Sequence, residues 1–213
     1  MSWNEDQTGK RRGYHHGNLR EALIEAALRL IGEKGPAGFT FAEAARAAGV
    51  SPAAPYRHFR DRDELMADVA RRGFEQFAAA LETAWDQGRP APRRAFERVG
   101  QAYLRFARSE PAAYAAMFES GLQVSAHPGL HAAADGAFAI MLKACEAVLA
   151  TLPTERRPPA LMVALHIWSQ THGIASLFAR GDNARRPLPM TAEELLEAAV
   201  LIYLDGLAAT RDR

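Results

Sequence analysis

The strongest constraint on the fold is a run of closely spaced helix-start and helix-stop signals from Phe39 to Leu65, FTFAEAARAAGVSPAAPYRHFRDRDEL. Thr40 and Glu43 have the spacing of a capping box, in which the hydroxyl accepts from the Glu43 amide and the carboxylate reaches back to Thr40. Gly49 follows an alanine-rich run, at the place where a helix commonly ends in a left-handed residue. These signals predict a short helix that begins after Thr40 and ends before Gly49.

A second short helix is predicted directly after Gly49. Ser51 supplies an N-cap and Pro52 a first-turn proline, so we expect a helix over 52–59, although Pro55 removes one backbone hydrogen bond from it. Two helices joined by a short turn that contains glycine form the helix-turn-helix arrangement. An ordinary α-helical hairpin gives the same signals, and at this point it remains the alternative.

The aromatic and basic side chains that follow favour the helix-turn-helix. Side chains that reach phosphates and base edges stand at five of the seven positions from 56 to 62. They are Tyr56, Arg57, His58, Arg60 and Arg62. Residues 1–60 hold nine Lys or Arg against six Asp or Glu, although the whole chain has a formal net charge of only +1. A mildly basic N-terminal part on a nearly neutral chain suits attraction to phosphate at one end.

This stretch resembles the DNA-binding domain of the tetracycline-repressor (TetR) family of transcription regulators. The resemblance is carried by Thr40, Ala48-Gly49-Val50-Ser51, Tyr56-Arg57-His58-Phe59 and Arg62-Asp63-Glu64-Leu65, together with the upstream run 13–20. It is specific over residues 13–70 and architectural beyond them. The resemblance implies a homodimer of all-α subunits, each with an N-terminal DNA-binding domain and a C-terminal ligand-sensing domain.

The rest of the chain fits an all-α fold, because helical periodicity runs nearly throughout and alternating β-branched runs are missing. With the resemblance, we expect a basic flexible arm over 1–17, a three-helix helix-turn-helix domain over 18–64, and a helical ligand-sensing and dimerisation domain over 65–213. About nine helices are predicted, over 19–34, 41–48, 52–59, 62–85, 93–108, 111–120, 128–151, 159–180 and 192–209.

The resemblance also implies which residues meet double-stranded DNA. Small side chains at the start of the second helix would let it enter the major groove, Tyr56 and His58 would bond phosphates, and Arg57 would reach a guanine edge or the backbone. Arg62 stands where family members usually carry lysine. The alternatives are a Tyr56 that packs between helices and a His58 on the surface. The expected DNA contacts are Thr40, Ser51, Pro52, Ala53, Ala54, Tyr56, Arg57, His58 and Arg62.

Aromatic and methionine side chains with a few polar tips collect in the second half of the chain. Helical spacing explains most of them as core, but as a set they also suit an apolar ligand pocket. No cluster of charges points to a highly charged ligand, so the expected inducer is small and largely apolar or aromatic. The pocket residues predicted are Tyr103, Phe106, Tyr114, Met117, Phe118, Phe138, Met141, His166, Trp168 and His172.

The last two predicted helices are expected, by resemblance, to pack against their symmetry mates as a four-helix bundle. Trp168, His172 and Gly173 resemble a C-terminal domain type found in one TetR subgroup, and a glycine inside a helix suits close approach at a seam. The interface residues predicted are Gly173, Leu177, Leu195, Ala199, Ile202, Tyr203 and Gly206. A two-fold symmetric repressor of this kind would bind a near-palindromic operator.

Other classes of protein have little support in the sequence. Cys145 is the single cysteine and His15-His16 lack further nearby ligands, so no metal or cofactor is predicted. No apolar run is long enough to span a bilayer, and the polar N-terminus lacks the core of a signal peptide, so a cytoplasmic protein is expected. Two alternatives remain open: an all-α enzyme that uses His166 and His172 as general bases, and a regulator of the same fold without a small-molecule ligand.

Overall fold

The computed structural model describes residues 19–179 and 188–209, so the predicted arm over 1–17 lies outside the described residues. Within those ranges the chain forms eight α-helices and four short 3-10 helices, with no strand, and the predicted all-α fold is confirmed. The α-helices are α1 (Leu19–Lys34), α2 (Phe41–Ala47), α3 (Arg62–Trp85), α4 (Pro92–Ser109), α5 (Pro111–Phe118), α6 (Pro128–Leu149), α7 (Ala160–Ala179) and α8 (Ala192–Ala209).

Both ends of α2 are fixed by the chemistry that the sequence predicts. The Thr40 hydroxyl accepts from the Glu43 amide at 3.2 Å, and the Glu43 carboxylate accepts from the Thr40 amide at 2.8 Å. Hydrogen bonds from Lys34 and from Thr40 hold the pKa of the Glu43 carboxyl at about 2. At the other end Gly49 adopts a φ of 74°, and the Val50 amide donates to the Ala45 carbonyl oxygen at 3.0 Å. These bonds close the helix in a Schellman motif.

The prediction of a second short α-helix over 52–59 is wrong. The chain instead forms a 3-10 helix over Ala54–Arg57. Pro55 lacks the amide that would donate to the Ser51 carbonyl in an α-helix, and the Ala54 amide donates to that oxygen at 3.0 Å. The turn is therefore tightened, and the predicted nine helices become eight α-helices over the described residues.

The long helix α3 begins and ends at the predicted residues. Asp61 caps it by accepting from the Glu64 amide at 2.9 Å, and Asp86 ends it in the left-handed region with a φ of 43°. Its length is roughly 36 Å at 1.5 Å per residue. Along that length α3 packs against α1 near its start and against α4, α5 and α6 further on. One continuous helix therefore belongs to the packing of both halves of the chain.

The remaining helices lie within two residues of their predicted bounds. Helix α5 ends earlier than predicted, at Phe118, because the Glu119 amide closes it on the Ala115 carbonyl oxygen and Gly121 then turns the chain with a φ of 72°. Helices α4, α6, α7 and α8 surround the later part of α3 or pack on its neighbours. None of the helices over the described residues is at once long enough and apolar enough to cross a membrane.

Candidate DNA-reading turn and internal cavity

The residues from 51 to 58, called here the reading turn, form an exposed ridge beside α2. Ser51, Pro52 and Ala53 are exposed, and Ala54 is partly so. Pro55 is fully buried, and Phe59 just after the turn is 1% exposed. The two buried rings anchor the ridge to the core of the N-terminal domain, so the exposed atoms have a fixed backbone beneath them.

The Tyr56 side chain projects from the reading turn, and its ring packs against a neighbouring ring. Its side chain is 63% exposed, and its ring meets the ring of Phe41 edge-on at 5.1 Å between centroids. Arg57 and His58 are exposed as well. Neither of these two side chains hydrogen-bonds to another described residue, so their donors face solvent. The turn thus exposes an aromatic hydroxyl, a guanidinium and an imidazole at three consecutive positions.

Arg62 occupies a different environment from its neighbours. Its Nε donates to the Phe39 carbonyl oxygen at 2.9 Å, and Nη2 donates to the Pro36 carbonyl oxygen. Its guanidinium carbon lies 4.7 Å from the centre of the Phe39 ring, and 27% of the side chain is exposed. The structure therefore places this predicted phosphate contact as a brace between the start of α3 and the loop that connects α1 to α2.

A cavity of about 310 Å³ lies among α3, α4, α5, α6 and α7. Six of the residues predicted for the pocket line it: Tyr103, Met117, Phe118, Phe138, Met141 and Trp168. Phe106 and His166 lie outside its wall. The Phe106 ring packs 5.1 Å from the ring of Phe77, outside the lining, and His166 is exposed and meets the Tyr203 ring at 4.5 Å. Helical spacing indicates an inner face but does not separate these two from the lining.

The remaining two predicted pocket residues lie behind the wall, in a hydrogen-bonded cluster. His172 Nδ1 lies 2.9 Å from the Tyr103 hydroxyl and 2.8 Å from the Tyr114 hydroxyl. The Trp168 indole nitrogen donates to the Tyr103 hydroxyl at 3.3 Å. Burial raises the pKa of both tyrosines and lowers the pKa of His172. All of these groups are therefore neutral near pH 7, and the polar end of the cavity carries no charge.

Sequence reasoning missed the contribution of α3 to the cavity. Phe74, Phe77 and Leu81 line it, together with Leu165 on α7 and short side chains of α6. The spacing of three and four residues among the α3 members marks a single helix face. That signal was present in the sequence, but it does not say that a void lies in front of the face.

The outer face of α7 and α8 carries the residues predicted for the interface. Ile202 is 74% exposed and Leu177 is 43% exposed, an unusual state for large aliphatic side chains. Among the described residues, no atom lies within 4 Å of a Cβ added at Gly173 or at Gly206. Leu195, Ala199 and Tyr203 are partly buried beside them. The protomer therefore presents an apolar surface with two points at which another backbone has room to approach.

Two family profiles match the chain. One, described as bacterial regulatory proteins of the tetR family, matches residues 23–69, and the other, described as a tetracyclin repressor-like C-terminal domain, matches residues 96–203. The first covers the α1–α3 region with the reading turn, and the second covers most of the cavity wall. A helix-turn-helix head on a helical domain with an internal cavity defines a DNA-binding transcriptional regulator. The chain belongs to the TetR family, and its members are transcription factors rather than enzymes.

Individual relatives agree with this placement. The HTH-type transcriptional regulator BetI of Rhizobium meliloti (strain 1021) is 44% identical over 52 residues, which are 24% of this chain and 26% of that protein. The chain thus aligns with about a quarter of that relative's length. Among solved structures, a protein of unknown function from Rhodococcus sp. RHA1 is 31% identical, with 92% of this chain and 99% of that chain covered and a TM-score of 0.75. The TetR family regulator PfmR from Thermus thermophilus is 21% identical, with 90% and 99% covered and a TM-score of 0.65, and it shows the shared fold.

Proposed function

We propose that this regulator is a homodimeric repressor that leaves a near-palindromic operator when a small, largely apolar molecule occupies the internal cavity. The observation that carries the proposal is the course of α3. The helix begins at Arg62, four residues after the reading turn, and further along it contributes Phe74, Phe77 and Leu81 to the cavity wall. A molecule that displaces those side chains would push on a rigid helix whose first two turns are bonded to α1 and to the loop before α2. The reading turn packs against α1 and α2.

The proposed DNA contacts follow from what the reading turn exposes. Tyr56 and His58 would bond phosphates, and Arg57 would reach a phosphate or a guanine edge. The small side chains of 51–54 would lie against the major groove. Thr40, at the start of α2, would approach the sugar-phosphate backbone of the DNA. Because Pro55 shortens the turn, phosphate contacts have better support than any particular base contact.

The proposed dimer uses the exposed face of α7 and α8. Burying Ile202 and Leu177 against a second copy would remove apolar surface from water, and Gly173 and Gly206 would allow the helices to approach closely. Two-fold symmetry then sets two reading turns on one side of the dimer, about one helical turn of DNA, roughly 34 Å, or a multiple of it apart. We place such a repressor in the cytoplasm, where the chromosome is.

The proposed function is tested with the DNA that flanks the regulator's own gene. Fluorescence anisotropy of this DNA and of a shuffled sequence, measured at several salt concentrations, should show specific binding at least about a thousandfold tighter than non-specific binding. Equal micromolar binding to both sequences contradicts a sequence-specific repressor. Footprinting should protect two symmetric half-sites, and a single unsymmetric site contradicts the dimer.

Release by a small molecule is tested separately on the same complex. A small apolar compound that binds the cavity should raise the operator Kd, whereas the Kd for shuffled DNA should change little. If a broad metabolite screen leaves operator binding unchanged, the regulator acts without a small-molecule effector, through association with other proteins. The cavity of about 310 Å³, at the lower end of the usual range for ligand sites, supports the effector-dependent form.

A further inference from the structure

Over the part of the chain that the structure describes, the wall of the cavity contains no positive charge. None of the described lining residues is Lys, Arg or His, and Asp135 is the single acidic residue among them. The Asp135 side chain is 69% exposed and lies 3.6 Å from His131, so it stands at the mouth rather than inside. An anion bound against this wall would lose part of its hydration without gaining a cation, which is unfavourable. The charge of the wall therefore selects against carboxylates and phosphates.

Two lining side chains form the polar end of the cavity, Tyr103 and Trp168. Their mutual bond, from the indole N–H to the hydroxyl oxygen, is 3.3 Å long. That length lies just beyond the range of about 2.7–3.2 Å usual for N–H···O bonds. The indole hydrogen is therefore only weakly engaged, and it is accessible to a better acceptor placed in the cavity.

The cluster behind the wall makes the Tyr103 hydroxyl adaptable. Both tyrosine hydroxyls lie within 2.9 Å of the single nitrogen His172 Nδ1. A neutral imidazole nitrogen offers either one lone pair or one hydrogen, so it satisfies one hydroxyl hydrogen at most. The other hydroxyl turns to its tyrosine neighbour, to Ser176 in the case of Tyr114, or to a molecule in the cavity in the case of Tyr103. Tyr103 is the tyrosine that lines the cavity, and it is therefore placed to donate to a ligand or to accept from one.

From this geometry we infer that the effector is an uncharged molecule with a ring-containing apolar body and one carbonyl or hydroxyl oxygen, which bonds to Tyr103 and Trp168. The inference rests on the proposed function, because it takes the cavity as the effector site. The edges and faces of Phe74, Phe77 and Phe118 suit a flat ring. The volume of about 310 Å³ accommodates a body of one or two rings.

Calorimetric titration of the full chain, without DNA, tests the chemical class with probes built on one ring system. Acetylnaphthalene and naphthol carry a neutral oxygen, naphthalene carries none, and naphthoate and naphthylmethylammonium carry opposite charges. We expect the two neutral oxygenated probes to bind at least about tenfold more tightly than either ion, a difference of about 1.4 kcal/mol. We expect naphthalene to bind about three- to tenfold more weakly than they do. An ion that binds as tightly as the neutral ketone overturns the inference, as does a naphthalene of equal affinity.

Two variants test the polar end itself. Tyr103→Phe removes the hydroxyl, and Trp168→Phe removes the indole N–H while each keeps an aromatic ring. In both we expect the Kd of acetylnaphthalene to rise about three- to tenfold and the Kd of naphthalene to stay within about twofold. Thr171→Val is the matched control, since Thr171 is a fully buried hydroxyl on the same helix as Trp168 and lies outside the lining of this cavity. An acetylnaphthalene Kd that is unchanged in both Tyr103→Phe and Trp168→Phe overturns the assignment of these two side chains as the polar end. A thermal melt checks that each variant is folded.

The design separates this inference from the proposed function. The titrations contain no DNA, so a failure to bind the operator leaves their outcome intact. If operator binding is specific but none of the probes binds the protein, the inference is overturned while the DNA-binding proposal stands. If the neutral probes bind with the expected selectivity but do not release the operator, the cavity chemistry stands and the proposed link through α3 fails.

Discussion

The carboxylate of Asp68, on α3, accepts a hydrogen bond from the Arg20 Nε of α1 at 3.1 Å, and this bond ties the two helices together. Asp68 is 6% exposed and also accepts from Arg71 at 2.9 Å and 2.7 Å. A second tie is made by Arg72, which donates two hydrogen bonds to the Glu21 carboxylate. The start of α3 is therefore joined to α1 by charged groups as well as by packing.

Asp68→Asn should lower the free energy of unfolding by about 1–3 kcal/mol, because the guanidinium groups of Arg20, Arg71 and Arg72 lose their buried carboxylate partner. Urea denaturation with a two-state fit measures the change. Glu25→Gln is the control, since Glu25 is an exposed carboxylate on α1, and it should stay within about 0.5 kcal/mol of the parent. Equal effects from the two substitutions contradict a special role for Asp68.

The same carboxylate predicts a pH dependence. Burial alone would raise the pKa of Asp68, but the guanidinium groups of Arg20 and Arg71 outweigh burial and lower it. A lowered pKa in the folded state means that the stabilisation is complete above the unfolded value, about 3.9, and is lost as the pH falls through the folded value. Stability of the parent should therefore fall more steeply below a pH of about 4 than stability of Asp68→Asn, as measured by melts across the acid range.

Arg57→Ala should weaken operator binding and reduce its dependence on salt. If Arg57 neutralises one phosphate, the slope of log K against log salt should become shallower by about 0.9. Anisotropy titrations from low to moderate salt give the slope. Arg94→Ala provides the control, since Arg94 is an exposed arginine on α4, away from the reading turn. A loss of affinity confined to one base-pair variant of the operator, with the slope unchanged, would instead assign Arg57 to a guanine edge.

Arg62→Lys should lower the free energy of unfolding and leave the affinity for the operator nearly unchanged. The arginine fork donates to the carbonyl oxygens of Phe39 and Pro36, and an ammonium group does not reproduce that geometry. We expect the free energy of unfolding to fall by about 1–2 kcal/mol, whereas Arg60→Lys, at a side chain 81% exposed, should change it by less than about 0.5 kcal/mol. Unchanged stability combined with weaker operator binding would show that Arg62 acts on phosphate.

Gly73→Ala should reduce the cavity with little loss of stability. A Cβ at this position would lie 2.8 Å from Met117 Sδ and 2.9 Å from Met117 Cγ, so the flexible Met117 side chain must move, and it already lines the cavity. Alanine in a helix gains about 1 kcal/mol over glycine, which offsets part of that strain. We expect near-parental melts, because the flexible Met117 side chain can move aside. We expect at least about fivefold weaker binding of acetylnaphthalene, because the displaced Met117 side chain takes up part of the cavity. Gly136→Ala, at an open helical position, should leave binding unchanged.

Ile202→Glu should dissociate the proposed dimer without unfolding the protomer. The side chain is 74% exposed in one copy, so a charge there meets water in the monomer but would be buried between two copies. Sedimentation velocity should show a shift from dimer to monomer, and Ala139→Glu, at an exposed position on α6, should leave the dimer intact. A dimer that survives Ile202→Glu places the interface elsewhere.

The parts of the fold that the sequence predicted well are those decided by neighbouring residues. Thr40 with Glu43, and Gly49 after its helix, act within one turn of chain, so their patterns suffice to set the ends of α2. The fate of 52–59 depended on a competition that the pattern did not resolve. Pro55 disfavours an α-helix, whereas Ser51 and Pro52 favour one. The missing Pro55 amide decided the outcome, since the Ala54 amide takes the Ser51 carbonyl oxygen instead.

The cavity was harder to predict from the sequence. Whether a side chain lines the cavity or lies behind its wall depends on helices that are distant in the chain. Tyr103 and Trp168 line the wall, but Tyr114 and His172 lie one layer behind it. All four are aromatic side chains with a hydrogen-bonding group, so their residue types do not distinguish the two positions. Arg62 shows the same limit at the other end of the molecule. Its position matches a phosphate contact, and only the carbonyl oxygens of the preceding loop reveal that its donors are already engaged.

The burial of Pro55 also has a thermodynamic consequence for how the protein meets its operator. A proline ring fixes φ, and this ring is locked in the core beside Phe59, so the reading turn is ordered when the chain folds rather than when DNA arrives. A segment that folded on the DNA would bury about 1,000–3,000 Å² and give a correspondingly large negative heat-capacity change. Association by a preformed turn should give only a small heat-capacity change. The enthalpy of operator binding should therefore vary little with temperature, because the regulator binds with a surface that is already folded.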